Sequence, residues 1–134
     1  MNGTDGGVSA ELAILTPVLM LLCLFVVLTG RLGQAEHDVT QAAAEAARAA
    51  SLVRVGDVTA VARATAVRNL DASGVRCQAF DVATDLSDHR PGGSVAVDVS
   101  CDVDLRGVSG PGLPRGHVIS SSAVEVIDTY RGDG

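Results

Sequence analysis

Few residues in this chain stand where their types could do chemistry together. His37, His89 and His117 are isolated, with no His-x-x-x-His pair and no cysteine pair beside them, so a zinc site has no support. No Gly-x-Ser-x-Gly elbow leads into a helix, and Ser120, Ser121 and Ser122 fall in strand-like sequence, where hydroxyls face solvent or pair across strands. Asp98, Asp102 and Asp104 share the polar face of one predicted strand, with Asp81 and Asp85 near the adjoining one. Calcium takes such oxygens, yet no EF-hand loop or comparable spacing is present, and a solvated acidic face is the better reading. The glycine-rich start, Gly3-Thr4-Asp5-Gly6-Gly7, lacks the Gly-Lys-Ser/Thr ending of a phosphate loop. The sequence thus reads as a non-enzyme with no cofactor and no metal site.

Composition narrows the partners. The net charge is -6, and all ten basic residues are arginine. No basic patch for polyanions follows, so nucleic acid is not an expected partner. In 134 residues there is room for one compact unit beside any anchor. Apolar residues make up 47% of the chain, but two Phe, one Tyr and no Trp leave Val, Ala and Leu to build a thin core.

From Leu12 to Thr29 the residues LAILTPVLMLLCLFVVLT carry no charge, and Glu11 and Arg31 bracket them. A helix of that length extends about 27 Å, close to the hydrocarbon thickness of a bilayer. The run is expected to span a membrane once, because the rest of so small a chain is too little to wrap it on all sides. Met1 to Gly7 has no basic residue and carries Asp5, unlike an ordinary secretory signal, whereas Gly33-Gln34-Ala35 has the small-x-small form of a signal-peptidase site. Release of a soluble binding domain beginning at Glu36 therefore stays open as an alternative.

Gly30 and Gly33 mark a soft spot in helix propensity, and helix resumes over Gln34–Ser51. There Val39, Ala42, Ala43, Ala46, Ala49, Ala50 and Val53 fall roughly on one stripe. The alanines suit close approach of another element, or serve helix propensity alone. Asp57 is placed to N-cap a second helix to Leu70, which Gly74 ends. Beyond it the period becomes two. Val75–Ala83 is a weak strand, and Ser94–Leu105, with Val95, Val97, Val99, Cys101, Val103 and Leu105 on one side, is a half-buried one. Asp85–Gly93 turns between them, and after a loop over Gly107–Gly116 a third strand runs from His117 to Tyr130. The expected fold class is α+β: a long N-terminal helix (transmembrane, then an Ala-rich extension), a second short helix, and a small three-stranded antiparallel sheet.

A hairpin turning near His89 would set Cys77 opposite Cys101 on the apolar face, within disulfide range, and a bond between them is predicted. Cys23, inside the apolar run, reads as a small hydrophobe. Arg31 after the run would by itself weakly place the domain in the cytoplasm. A disulfide persists in oxidising compartments and overrides that signal, giving an extracytoplasmic domain.

Glu11 remains. A carboxylate abutting an apolar helix belongs either at the headgroups, complementing the helix N-terminus, or against a partner. In Gly6-Gly7-Val8-Ser9-Ala10-Glu11-Leu12 a glycine stands five residues before it, which resembles the processing site of type IV pilin-like proteins. Taken with SAELAILTPVLMLL, with Pro17 inside the apolar run, and with the Ala-rich QAAAEAARAAS that follows, the first fifty or so residues resemble the TadE-like family, small pilin-like proteins of tight-adherence (Flp) pilus systems. The family often has a basic residue before the glycine and an aromatic after the glutamate, where this chain has Asp5 and Leu12.

The resemblance implies cleavage by a prepilin-type peptidase between Gly6 and Gly7, with Glu11 becoming the fifth residue. It implies a helix kink at Pro17, and as partners the membrane, other pilin-like subunits and pilus assembly proteins. The expected organisation is a leader or processing region (1–11), a transmembrane helix (12–29) and a small extracytoplasmic α+β domain (30–134). An unprocessed single-pass anchor is the remaining alternative.

Overall fold

A computed structural model of the chain describes residues 5–105 and 116–130. The leucine-rich apolar run and the alanine-rich stretch after it carry one helix, α1, over Asp5–Ser51, and it continues through Pro17 and through Gly30 and Gly33 without a break. Isolated glycines cost helix only about 1 kcal/mol each, so the expected soft spot does not interrupt it. The chain divides into two compact units, residues 1–33 and 34–134.

In the second unit, Val39, Ala42, Ala43, Ala46 and Ala50 of α1 are fully buried, at the three- and four-residue spacing of one helix face. Ala35 and Ala47 join them, whereas Ala44 is exposed and Ala49 half-buried. Burial that follows the stripe means that the alanines are packing residues as well as helix formers. Helix α2, Val58–Ser73, adds Val58, Ala62, Ala66 and Leu70 to the same core. Asp57 precedes it but makes no side-chain cap, because its backbone is already near-helical (φ -102°, ψ -9°) and its carbonyl accepts the Val61 N–H at 2.9 Å. The helix runs beyond Leu70 to Ser73, where Gly74 takes φ 76°. The Gly74 N–H then reaches the Asp71 carbonyl and the Val75 N–H the Leu70 carbonyl, both at 3.1 Å, which closes the helix in a left-handed cap.

Strands β1 (Cys77–Asp85), β2 (Ser94–Asp104) and β3 (Gly116–Val126) form an antiparallel sheet in the order β1-β2-β3. The alternation along β2 decides its faces: Val95, Val97, Val99, Cys101 and Val103 are buried, and Asp98 is exposed on the other side. β3 stops at Val126, short of the expected Tyr130. Ile127 leaves the ladder and ties to the turn instead, its N–H on the Gly93 carbonyl at 2.9 Å and its carbonyl accepting the Gly92 N–H at 3.0 Å. The loop expected over Gly107–Gly116 lies outside the described residues except for Gly116, which opens β3.

The register of β1 on β2 differs from the expected one. Phe80, not Cys77, faces Cys101, and Cys77 faces Val103, with a bulge between Cys77 and Ala79. The turn over Leu86–Gly93 sets the offset. The Gly93 N–H bonds the Arg90 carbonyl at 2.8 Å and the Ser94 N–H the Asp88 carbonyl at 3.1 Å, and a Cβ on Gly93 would run into the Asp88 carbonyl oxygen. The bulge inserts one residue and so switches the parity of β1. Cys77 before it and Phe80 and Val82 after it all join the core side.

Candidate functional site

Gly7 and Glu11 are separated by four residues of α1, so they lie on one face of the helix about 6 Å apart along its axis. Glu11 is exposed, and no ion pair forms with it among the described residues. After it, Leu12, Ile14, Leu15, Val18, Leu19, Met20, Leu21, Leu22, Leu24, Phe25, Val26 and Val27 are all exposed, which puts large apolar side chains on every side of the helix. The mean hydropathy of the most apolar 18-residue window is 2.8, none of it buried, so this helix is long and apolar enough to cross a membrane.

The hydroxyls inside this stretch are satisfied by the helix itself. Thr16 donates to the Leu12 carbonyl at 2.6 Å, and Thr29 to those of Phe25 and Val26 at 3.0 Å. Such back-bonding removes the cost of a bare hydroxyl in hydrocarbon. Pro17, on the turn after Glu11, offers no N–H to the Ala13 carbonyl. Cys23 is a free, exposed thiol in the same stretch.

The other singled-out pair lies in the second unit. Cys77 and Cys101 are joined by a disulfide with Cα atoms 5.3 Å apart. They are not cross-strand partners, and the bulge brings Cys77 within reach. The pair therefore bonds for a reason other than the direct opposition expected. Two contacts that the sequence did not signal attach α2 to β1 nearby: the Thr59 and Thr84 hydroxyls meet at 2.9 Å, and the Arg63 guanidinium lies 5.5 Å from the Phe80 ring centre.

The remaining candidates stay apart. His37 is exposed on α1, His117 is exposed on β3, and His89 is half-buried in the turn, its Nε2 buried without a partner. Among the described residues no three His, Cys, Asp or Glu side chains are grouped as metal ligands would be. The acidic strand positions are spread out, each facing a neutral neighbour: Asp81 opposite Ser100, Asp98 between Ala83 and Ser122, Asp102 between Ala79 and Val118. Ser120 faces Ser100 and Ser122 faces Asp98, the cross-strand pairing expected of them, while Ser121 faces Val99. The Asp85 carboxyl is held below its usual range, first by the Ser87 backbone N–H at 2.9 Å and then by the Ser87 hydroxyl.

No curated protein and no solved structure matches the chain. Residues 6–48, about a third of the chain, lie in α1, carry Gly6, Gly7, Glu11 and Pro17, and match the family model of the TadE-like protein, a pilus-associated family.

Proposed function

We propose that this chain is a pilin-like structural membrane protein that takes part in assembling or initiating a tight-adherence (Flp-type) pilus or a related secretion apparatus. The observation that carries the reading is the exposed apolar segment of α1 directly after Glu11, inside the segment that matches the TadE-like family. Helix packing is the mechanism. Residues 12–29 cross the membrane once. Cleavage by a prepilin-type peptidase between Gly6 and Gly7 creates an α-amine four residues before Glu11.

The carboxylate of one subunit and the amine of its neighbour then neutralise each other in a low-dielectric setting. A charge left alone there is expensive, so a displaced register is penalised and the correct one selected. Pro17 loosens the helix one turn later. Residues 30–134 form the small domain, and its disulfide favours the extracytoplasmic side, where such bonds persist. The partners are the membrane, other pilin-like subunits or pilus assembly proteins, and the peptidase.

Release of a soluble domain after Ala35 has less support, because Ala35 lies inside α1 and in the core of the second unit. The test is intact-mass measurement of the protein from the membrane fraction and from the medium of the cells that make it. The expected result is a membrane-bound chain beginning at Gly7. A chain beginning at Glu36 in the medium overturns the pilin-like reading, and one beginning at Met1 in the membrane overturns the processing step and leaves a plain anchor.

A further inference from the structure

The two edges of the sheet differ. β1, on one side, carries the bulge and exposes Asp81 and Asp85, features that discourage a further strand from pairing there. β3, on the other, is eleven residues long, pairs with β2 without a register shift and holds no proline, lysine or arginine. Among the described residues no strand pairs with its far edge. Its outer face exposes Val118, Val124 and Val126 at 63, 64 and 71%. A long, unblunted and partly apolar edge is a template for another strand.

We infer that β3 pairs antiparallel with β3 of a second copy of this chain, about a two-fold axis at Ser121. The order of residue types along GHVISSSAVEV selects both that occupant and that register, because positions equidistant from Ser121 suit one another. Ser120 faces Ser122, Ile119 faces Ala123, Val118 faces Val124, and His117 faces Glu125. Directly opposed residues bring their Cβ atoms to about 5 Å, so Val118 and Val124 cover each other on the outer face and the serine hydroxyls pair beside them. His117 and Glu125 are both exposed in the single chain, and an imidazole N–H then meets a carboxylate at each end of the paired strands. Moving the axis to Ser122 sets Glu125 against Ile119 and Val124 against Ser120. Moving it to Ser120 sets Val118 against Ser122 and His117 against Ala123. Against β1 of another copy, β3 would meet the bulge and two aspartates and leave an edge open for further addition, whereas the self-paired edge closes. The inference concerns the domain's own strand and holds or fails independently of the pilus reading.

Full-length Cys23→Ser protein carrying Ser122→Cys, and a second form carrying Asp81→Cys on the other edge, are treated with a short bismaleimide in detergent micelles kept in excess over protein. The Cys77–Cys101 bond keeps the native pair out of the reaction. Two copies of residue 122 lie diagonally across the axis, so cross-linked dimer from Ser122→Cys is expected at about five times that from Asp81→Cys or more. Adding His117→Glu sets like charges against each other at both ends and should cut the dimer about fivefold or more; adding Glu125→His as well should restore it to within about twofold. No dimer at residue 122, or as much dimer at residue 81, overturns the inference. So does dimer that His117→Glu leaves unchanged, or a loss that Glu125→His fails to reverse.

Discussion

Replacing Ala46 with leucine tests whether the alanine stripe of α1 is chosen for size. Ala46 is fully buried, whereas Ala44, on the same helix two residues earlier, is exposed. Leucine and alanine differ little in helix propensity, so the two substitutions share whatever the backbone feels. Three added carbons at Ala46 would gain roughly 2.4 kcal/mol if there were room for them. There is none in a face packed at zero exposure, and forcing extra methylenes into such a site costs about 1–3 kcal/mol instead.

A domain of this size has about 5–15 kcal/mol of stability to lose from, so the change is measurable without abolishing folding. With no Trp, and Tyr130 almost fully exposed, fluorescence reports little. Urea unfolding of the full chain in micelles, followed by far-UV circular dichroism, is the suitable assay. At a slope of about 2 kcal/mol/M, Ala46→Leu should lower the midpoint by roughly 0.5–1.5 M while Ala44→Leu moves it by under about 0.3 M. If Ala46→Leu is as stable as Ala44→Leu, the alanines serve propensity and the packing argument fails.

Gly93→Ala should lower the thermal midpoint, by roughly 1–3 kcal/mol in stability, because its Cβ collides with the Asp88 carbonyl and that backbone cannot step aside as a side chain would. The Asp85 carboxyl has a folded pKa depressed below its unfolded value by the Ser87 bonds. Its contribution is therefore fully present above about pH 4 and lost as pH falls through the lowered folded value. Urea midpoints measured from pH 5 to pH 2 should fall less steeply in Asp85→Ala than in the parent, and parallel curves would remove Asp85 from the acid limb. On the proposed mechanism, Glu11→Gln should leave membrane insertion and processing intact but abolish subunit–subunit cross-linking between the N-terminal helices; undiminished cross-linking would mean that the charge does not set the register.

The long helix, the valine alternation of β2 and the span of the turn were legible because each rests on one strong local signal. For α1 the signal is a charge-free run followed by alanines. For β2 it is strict alternation, and for the turn a cluster of Asp, Pro and Gly. The register of β1 was not read, although a trace of it is present. Val75 and Cys77 are odd-numbered core residues, whereas Phe80, Val82 and Leu86 are even-numbered ones. A strand can place both sets on one side only by inserting a residue, and that is the bulge. Asp57 failed as a side-chain cap for a different reason. Capping needs an extended backbone that aims the carboxylate at the first turn, whereas Asp57 is near-helical with its own N–H bonded to the Arg54 carbonyl at 2.9 Å. At the candidate site, the i, i+4 placement of Gly7 and Glu11 follows from helical spacing alone. The cysteine pair was legible as a pair but not in its geometry.

The two units differ in what they still need from other molecules. In residues 34–134 the alanines of α1, the valines of β2 and the few large side chains of α2 pack into one core, and the exposed strand positions mix carboxylates with Val118, Val124 and Val126. In residues 12–27 the large side chains are exposed among the described residues. A bilayer meets that need, but it meets it equally well in any lateral arrangement, because lipid tails are as apolar as leucine and give one helix no hydrophobic reason to prefer a particular neighbour. Selectivity among neighbours has to come from groups that lipid cannot satisfy. In this stretch the threonine hydroxyls are already bonded to their own helix, and Pro17 leaves a carbonyl, which is neutral. Glu11 carries the full charge at the N-terminal edge of the apolar run, as Arg31 does beyond its C-terminal end. On the proposed function, the apolar length of α1 would set where the chain sits, and Glu11, with a cation brought to it by another subunit, would set how it recognises its own kind.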